Sequence, residues 1–251
     1  MIELVGLTKI FPSPGSDDVV AVDDVSLTVP TGKVLCLIGT SGCGKTTTMK
    51  MVNRLIEPTR GAVLLDGDDV RERDVIALRR SVGYVIQKGG LFPHMTIADN
   101  IGLLCEIVGW DLDRRRRRVA ELLELVNLPV ADFGDRFPAE LSGGQRQRVG
   151  VARALAVDPP YILMDEPFGA LDPITRAQLH EEFKELQRTV AKTIVLVTHD
   201  MAEAFELGDE VALMDEGRIV QIGSEEDFRD RPANDFVKSF LMSHLGDADA
   251  S

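Results

Sequence analysis

The sequence lacks any apolar run close to the ~20 residues that a membrane-spanning helix requires. Its first residues, MIELVGLTKI, also lack the basic segment and long apolar stretch that are typical of a signal peptide. The chain has 3 cysteines, and their spacing matches no zinc-binding pattern. A sparse, odd number of cysteines is usual in a reducing compartment. These absences together predict a cytoplasmic protein.

Basic residues are also scarce, since 28 Lys and Arg face 41 Asp and Glu, for a net charge of −13. Binding to nucleic acid or to anionic lipid needs clustered positive charge. We therefore expect no nucleic-acid partner, and at a membrane another protein would have to hold this one. The arginine run at 114–118 is interpreted as a solvated helix face, with nucleic-acid binding as the alternative.

Apolar patterns predict the class of fold. Residues 2–10 and 19–29 alternate apolar and polar side chains, which predicts strands with one wet face. Short continuous apolar runs are typical of buried parallel strands, and they occupy residues 33–39, 83–86, 161–164, 193–197 and 210–214. Helix-like stretches, beginning with residues 45–56, lie between several of these runs. We predict an α/β fold with a mostly parallel sheet core and an N-terminal antiparallel β portion.

A block of different character occupies about residues 89–158. Its patterns are helical, and four apolar residues form a stripe at i, i+3, i+4 and i+7. These residues are Val119, Leu122, Leu123 and Val126. We interpret the block as a helical lobe inserted into the sheet core. The predicted organisation is a single domain over residues 1–242, followed by a frayed tail at 243–251.

The segment GTSGCGKT fits the phosphate-loop motif of P-loop NTPases, after a predicted buried strand and before a predicted helix. Its glycines let backbone N–H groups converge on phosphate oxygens, and the helix N-terminus adds partial positive charge. Lys45 is expected to bridge the β- and γ-phosphates, Thr46 to bind Mg²⁺ and Thr47 to reach an inner phosphate. A glycine-rich turn without ligand is the alternative. The predicted nucleotide-binding residues here are Gly39, Thr40, Ser41, Gly42, Cys43, Gly44, Lys45, Thr46 and Thr47.

Polar residues follow three of the other predicted strands. Asp165 and Glu166 come after YILM, Gln87 ends GYVIQ, and His199 follows TIVLVT. Ligands of open α/β sheets bind at the carboxyl ends of the strands. We therefore expect Asp165 to hold Mg²⁺ through water, Glu166 to polarise the attacking water, and Gln87 to touch both. His199 is expected to contact the γ-phosphate, although a lone histidine is more often an ordinary structural residue. The predicted metal ligands are Thr46, Gln87 and Asp165.

A second glycine pair lies in LSGGQRQRVG, at the start of another predicted helix. Ser142 suits a helix N-cap, and Gly143 and Gly144 expose backbone N–H groups for an anion. One nucleotide needs only one such cradle, and this one is predicted to lie on the helical lobe. Two copies facing head to tail, each closing the other's nucleotide, would use both cradles. The predicted residues of the second cradle are Ser142, Gly143, Gly144 and Gln145.

Six motifs together resemble the nucleotide-binding subunit of ABC transporters over about residues 1–240. They are GTSGCGKT, Gln87, LSGGQRQRVG, ILMDEP, ALD (170–172) and THD. The resemblance implies ATP and Mg²⁺ as cofactors, Glu166 as the catalytic base and His199 as the γ-phosphate switch. It makes Asp172 part of a loop that signals across the dimer. It also implies that Phe11 stacks on adenine, whereas by itself Phe11 suits a strand-face core position equally well.

The same resemblance implies the partners of the chain. They are a second copy in a head-to-tail homodimer, transmembrane permease subunits and, indirectly, a solute-binding protein. The permease would insert a coupling helix near Gln87 and the helical lobe. The protein would then lie peripherally on the cytoplasmic face of the inner membrane.

Three segments are similar to the branch that imports quaternary-amine osmoprotectants such as glycine betaine, choline and carnitine. They are GTSGCGKTTTMKMVNRLIEPT, GLFPHMTIADNI and RPANDFVKSFL. The sequence departs from this branch at Lys88 and Gly89, where a glutamine-rich stretch is expected. It also reaches Ser251 without the paired CBS domains of many relatives, so the predicted organisation contains none.

We therefore expect the ATP-hydrolysing, energy-coupling subunit of such an importer. The alternatives are an importer for another small solute, such as a polyamine or an amino acid, an exporter subunit, and a soluble ABC ATPase that acts in assembly. Long coiled-coil insertions and a second cassette, which mark soluble relatives in DNA repair and translation, are absent from the sequence.

Overall fold

The computed structural model describes residues 1–245, apart from residues 14, 16, 88, 89 and 170. The departure at Lys88 and Gly89, Ala170 of the ALD motif and the tail from residue 246 onward lie outside the described residues. The chain divides into two compact units. The first contains residues 1–79 and the chain from Thr193 onward, and the second contains Arg80–Lys192.

The secondary structure alternates strands and helices along the chain. The strands are β1 (Ile2–Phe11), β2 (Val19–Val29), β3 (Val34–Gly39), β4 (Arg60–Leu65), β5 (Asp68–Asp69), β6 (Val82–Val85), β7 (Tyr161–Asp165), β8 (Thr193–Val197), β9 (Glu210–Asp215) and β10 (Arg218–Gly223). The helices are α1 (Lys45–Val52), α2 (Val75–Arg80), α3 (Ile97–Ile107), α4 (Leu112–Leu125), α5 (Val130–Phe133), α6 (Gly143–Ala154), α7 (Pro173–Val190), α8 (Met201–Leu207), α9 (Glu225–Asp230) and α10 (Asp235–Leu245), with a 3₁₀ turn at Pro138–Glu140.

The first unit contains two kinds of sheet. An antiparallel sheet has the strand order β2-β1-β4-β5. In the other, β3 pairs in parallel with β8 on one side and β9 on the other, and β10 adds an antiparallel edge. All six residues of β3 are buried, which explains why the strand is continuously apolar. The predicted α/β class, with an N-terminal antiparallel portion and a mostly parallel core, is confirmed.

The second unit combines the parallel pair β6 and β7 with helices. Helix α6 packs closely on β6, because a Cβ atom at Gly83 would lie 2.5 Å from the carbonyl oxygen of Ala154. The predicted stripe on α4 is buried, with no member more than 7% exposed: Val119, Leu122, Leu123 and Val126. The helical character predicted for this part of the chain is therefore confirmed in α3 to α6.

Two boundaries differ from the sequence-based expectation. Helix α1 ends at Val52, although the pattern predicted a helix through residue 56. Arg54 has φ 52°, a left-handed conformation that a continuing helix excludes. At the other end of the chain, α10 continues to Leu245, so the tail predicted from residue 243 begins inside a helix. Among the described residues, no helix is both long and apolar enough to cross a bilayer.

Candidate nucleotide-binding and catalytic site

The phosphate loop joins β3 to α1, and its shape depends on glycine. Gly39 has φ 144°, and a Cβ atom there would lie 2.0 Å from the carbonyl oxygen of Met214. Gly44 has φ 105°, and its Cβ atom would lie 2.3 Å from the carbonyl oxygen of Ala21. A side chain at either position would strain the backbone and push it away from the neighbouring strand. The motif therefore has glycine at positions 39 and 44 because the neighbouring backbone leaves no room for a side chain there.

Lys45 directs its charge into the loop. The side chain is 7% exposed, and its Nζ donates hydrogen bonds of 2.8 Å to the carbonyl oxygens of Gly39 and Thr40. Burying an ammonium group is costly unless polar groups surround it. The loop thus holds a cation at the N-terminus of α1, where the helix dipole adds partial positive charge. This combination suits a phosphate group.

The start of α1 also offers backbone donors. Its N-cap is Gly44, which in the described structure supplies no side-chain hydrogen bond to the first turn. Helices whose first N–H groups are not capped by a side chain are common anion sites. Thr46 and Thr47 lie partly buried in this turn. Cys43 is buried within the loop, with 4% of its surface exposed.

His199 lies at the same edge of the sheet as the phosphate loop. Leu37 of β3 pairs with Val197 of β8 in parallel register, so Gly39 and His199 each follow that pair by two residues. The side chain of His199 is exposed. His199 therefore lies at the strand edge where the phosphate loop begins, and its exposure excludes a core position, while an ordinary surface histidine stays the alternative.

Phe11 is the last residue of β1, and 38% of its surface is exposed. The Nζ of Lys9 lies 5.0 Å from the centroid of its ring. A core residue on a strand face would be buried, so this exposure argues against the structural alternative. The ring is therefore partly open to solvent, with the Lys9 ammonium group over it.

The second unit carries the two acids at the end of β7. The four residues before Asp165 are buried, whereas Asp165 and Glu166 are partly exposed. Glu166 has φ 45°, a left-handed conformation that is uncommon outside glycine. Gln87, which follows β6, donates a 2.6 Å hydrogen bond from Nε2 to Oε2 of Glu166. The structure thus brings two predicted site residues into direct contact.

A further polar residue near these acids was not expected from the sequence. Tyr84 on β6 is near enough to Asp165 for the carboxylate to act on the pKa of the phenol. Burial of the phenol, together with the neighbouring carboxylate, raises the pKa of Tyr84 well above its usual value. The sequence feature that could have indicated this residue is a tyrosine three positions before Gln87, on the strand that ends beside the acids.

The glycine pair of LSGGQRQRVG begins α6 as predicted. Ser142 is the N-cap: its Oγ accepts from the backbone N–H of Gln145 at 3.2 Å, and its own N–H donates to Oε1 of Gln145 at 2.9 Å. This reciprocal pair is a capping box. Gly143 is exposed, whereas Gly144 is buried and its Cβ atom would lie 2.7 Å from Cγ2 of Thr175. Close packing against Thr175 therefore explains why residue 144 is a glycine, which the sequence alone did not show.

Asp172 caps the next long helix. Its side chain accepts a 3.0 Å hydrogen bond from the backbone N–H of Thr175 at the start of α7. Hydrogen bonds from the side chain and backbone of Thr175 hold the pKa of Asp172 below its usual value. The residue that the resemblance assigns to signalling thus also fixes the first turn of α7.

The oxygen donors of these motifs fit Mg²⁺ better than a transition metal. Among the described residues, no group of three or more His, Cys, Asp and Glu could hold a metal ion by itself. Mg²⁺ prefers oxygen ligands and usually keeps several waters, with only one or two carboxylates from the protein. A hydroxyl, a carboxylate and an amide oxygen, as in Thr46, Asp165 and Gln87, agree with that preference.

Comparison with known proteins identifies relatives of this chain. A family model described as ABC transporter matches residues 22–169. The glycine betaine/carnitine/choline transport ATP-binding protein OpuCA of Bacillus subtilis (strain 168) is 52% identical over 241 residues, which are 96% of this chain and 62% of the relative. The choline transport ATP-binding protein OpuBA of the same organism is 55% identical over 221 residues, which are 88% of this chain and 58% of the relative.

A solved structure supports the same relationship. It is a dimeric post-hydrolysis state of the ATP-binding cassette MJ0796 bound to ADP and Pi, with a TM-score of 0.80 and 32% identity. The match covers 89% of this chain and 98% of that one. The chain spans about three fifths of the length of the two transport proteins above. The family match covers more than half of the chain and includes the phosphate loop, Gln87, LSGGQ and the two acids, so the chain belongs to the ABC transporter family and is a nucleotide-binding protein.

Proposed function

We propose that this chain is the ATP-hydrolysing, energy-coupling subunit of an importer for quaternary-amine osmoprotectants such as glycine betaine, choline or carnitine. The observation that carries the proposal of hydrolysis is the 2.6 Å contact between Gln87 and Glu166. It places an amide and a carboxylate together directly after a buried strand, where a water molecule can be bound and polarised. The substrate class is supported by the names of the relatives, which are 52% and 55% identical.

In this proposal the loop residues bind ATP and Glu166 supplies the base. Lys45 and the backbone N–H groups of the phosphate loop hold the β- and γ-phosphates. Glu166 orients the attacking water and accepts its proton, with Gln87 fixing the carboxylate. His199 donates to the γ-phosphate, and Phe11 stacks on the adenine.

The proposed ligands of Mg²⁺ are Thr46, Gln87 and Asp165. When bound, the ion would neutralise charge on the β- and γ-phosphate oxygens during transfer to water. Each of the three residues supplies an oxygen. Their mixed donor set agrees with the ligand preference of a hard cation.

The proposed assembly is a homodimer in which each copy completes the other's nucleotide site. The residues that would reach the partner's ATP are Ser142, Gly143, Gly144 and Gln145. Two observations support this assignment: Ser142 and Gly143 are exposed, and the capping box fixes the first turn of α6 on which they lie. Permease subunits would hold the dimer on the cytoplasmic face of the membrane and receive solute from a binding protein.

Solute uptake tests the proposed function directly. Cells that lack the gene are complemented with the wild type, with Glu166→Gln or with Glu216→Gln, a matched change at an exposed glutamate. Uptake of labelled glycine betaine, choline and spermidine is measured at low and high osmolarity. We expect the wild type and Glu216→Gln, but not Glu166→Gln, to restore uptake of betaine or choline. Rescue of spermidine uptake alone would favour a polyamine importer, and rescue of none would contradict the osmoprotectant assignment.

A further inference from the structure

Asp215, the last residue of β9, is hydrogen-bonded to the phosphate loop. In the parallel register of β3 and β9, Gly39 pairs with Met214. The residues that follow this pair, Thr40 and Asp215, are therefore neighbours across the two strands. Oγ1 of Thr40 donates a 3.2 Å hydrogen bond to Oδ1 of Asp215. The carboxylate thus holds the first side chain of the loop after Gly39.

The turn that follows Asp215 makes a second hydrogen bond to the loop. The backbone N–H of Gly217 donates to the carbonyl oxygen of Cys43 at 3.1 Å, and the carbonyl oxygen of Gly217 accepts from the N–H of Asp23 at 2.8 Å. Oδ2 of Asp23, on β2, also accepts from Nε of Arg218 at 2.9 Å. The turn between β9 and β10 is therefore fixed to β2 as well as to the loop, and can act as a support for the loop.

A glycine-rich loop gains from such a support. Three of its residues, Gly39, Gly42 and Gly44, have φ values of 144°, 82° and 105°, and glycine loses more conformational freedom on ordering than any other residue. A loop that samples several conformations binds its ligand with an affinity reduced by the fraction that is competent to bind. Hydrogen bonds that fix the loop before the nucleotide binds remove part of this cost.

The charge of Asp215 would by itself oppose nucleotide binding. Like charges repel, so a carboxylate beside a loop that holds phosphates lowers the affinity through its charge. The acid offers the hydroxyl of Thr40 a strong acceptor in return, since hydrogen bonds to ionised groups are roughly twice as strong as neutral ones. The two possible effects of Asp215, repulsion and support of the loop, therefore act on nucleotide affinity in opposite directions.

We propose that Asp215 is a positioning residue for ATP, acting through the hydroxyl of Thr40. The inference rests on the proposed function, because it takes the phosphate loop to bind the β- and γ-phosphates. Asp215 itself would touch neither the nucleotide nor its metal ion. Its carboxylate keeps the loop in the conformation that binds phosphate, so its loss should weaken nucleotide binding and leave the turnover of bound ATP unchanged.

The experiment measures affinity for AMP-PNP, a non-hydrolysable ATP analogue, together with steady-state ATPase kinetics. Asp215→Ala removes the acceptor and the charge, whereas Asp215→Asn keeps an acceptor oxygen without the charge. Glu216→Ala is the matched control, because it removes an exposed carboxylate from the next position. We expect Asp215→Ala to bind about three- to tenfold more weakly, with a higher KM and an unchanged kcat. Asp215→Asn should keep most of the affinity, and Glu216→Ala all of it.

Thr40→Val tests whether the two side chains act together. Valine has nearly the shape of threonine but lacks the hydroxyl, so Thr40→Val should weaken binding at least as much as Asp215→Ala. The double variant should bind no more weakly than Thr40→Val alone, as a coupled pair requires. Hydrogen exchange of the nucleotide-free protein gives an independent readout, since both single variants should exchange the amides of residues 40–46 faster.

Lys45→Ala separates the inference from the proposed function. If Lys45→Ala abolishes binding while Asp215→Ala binds as tightly as the wild type or more tightly, the inference is overturned and the proposed function stands. If Lys45→Ala binds normally, the phosphate loop is not the nucleotide site and both are overturned. Additive losses in the double variant, or unchanged hydrogen exchange in Asp215→Ala, would overturn the inference. A lower kcat with unchanged KM would show less folded protein, a structural role only, and would also overturn it.

Discussion

Glu166 combines an unusual backbone conformation with a fixed side chain. Its φ of 45° is a left-handed conformation that costs about 1–3 kcal/mol for such residues and is often found at functional sites. Gln87 holds the carboxylate from the end of the neighbouring strand. The backbone therefore turns away from the direction of β7 at Glu166, the residue to which we assign activation of the attacking water.

Replacement of Glu166 by glutamine tests this assignment in the purified protein. We expect Glu166→Gln to bind ATP normally and to hydrolyse it about 10²–10⁴-fold more slowly, because a positioned base contributes that much to the rate. Steady-state ATPase rates and nucleotide titration measure the two effects. Glu216→Gln is the control, since Glu216 is an exposed glutamate that also has a left-handed backbone, at φ 43°. Equal ATPase rates for the two variants would contradict the assignment of Glu166.

Motif spacing is enough to propose most of the site residues but not to predict what surrounds them. Lys45 was found because the phosphate-loop pattern requires a lysine there, and Gln87, Asp165 and Glu166 because polar residues end apolar runs. Tyr84 was missed because a tyrosine inside a strand is normally a packing residue. Its position on the same face as Asp165 depends on the register of β6 against β7, which a single sequence does not specify.

The first turn of α6 is fixed in two ways, by the capping box and by close packing against α7. The capping box of Ser142 and Gln145 satisfies backbone donors at the start of the helix. Gly144, one residue later than Gly143, faces Thr175 on α7 at a distance that only hydrogen allows. The two glycines of the motif therefore have separate roles, since Gly143 is exposed and Gly144 is packed.

Alanine substitutions should separate these roles. Gly144→Ala brings a Cβ atom to 2.7 Å from Cγ2 of Thr175, and we expect a loss of about 1–2 kcal/mol in the free energy of unfolding. Gly143→Ala meets only Cδ2 of Leu171, at 3.4 Å, and should leave stability nearly unchanged. Denaturant unfolding measures both variants.

A second substitution checks the cause of the loss. Thr175→Ser removes Cγ2 but keeps the hydroxyl and the backbone N–H that bonds to Asp172. It should restore most of the stability of Gly144→Ala, as a coupled pair requires. Additive losses would contradict the close contact as the cause.

At the scale of elements, buried and periodic segments could be predicted and edge segments could not. The continuous apolar run of β3 and the stripe on α4 match their observed burial. Strands β4, β5 and β10 were not predicted. β5 has two residues, and β10 has no fully buried residue, so pairing with a neighbour defines these strands more than their own pattern does. The early end of α1 also depends on one left-handed residue, Arg54.

At the scale of the whole molecule, the proposed dimer makes a prediction about mixed subunits. Ser142→Arg should obstruct the partner's ATP, and Lys45→Ala should disable the chain's own phosphate loop, so each variant alone should be inactive. A mixed dimer keeps one composite site intact. Random pairing of equal amounts should therefore restore about a quarter of the wild-type ATPase rate.

The control for this experiment places both substitutions in one chain. Ser142→Arg mixed with the double variant leaves no composite site intact, and we expect no recovery of ATPase activity. If the first mixture also remained inactive, the proposal that the partner chain completes each nucleotide site would be contradicted. The measured rates thus test the predicted role of LSGGQ independently of the transported solute.

The division of the chain into units has a consequence for synthesis on the ribosome. Strand β3, which leads into the phosphate loop, is paired on both sides by strands that come after residue 192. At about 5–20 residues per second, the roughly 150 intervening residues delay these partners by about 8–30 s. During that interval all of Arg80–Lys192 is synthesised. The phosphate loop meanwhile lacks β8 and β9, the two strands that flank β3. A nascent chain therefore acquires its nucleotide cradle late, when most of its length has already been translated.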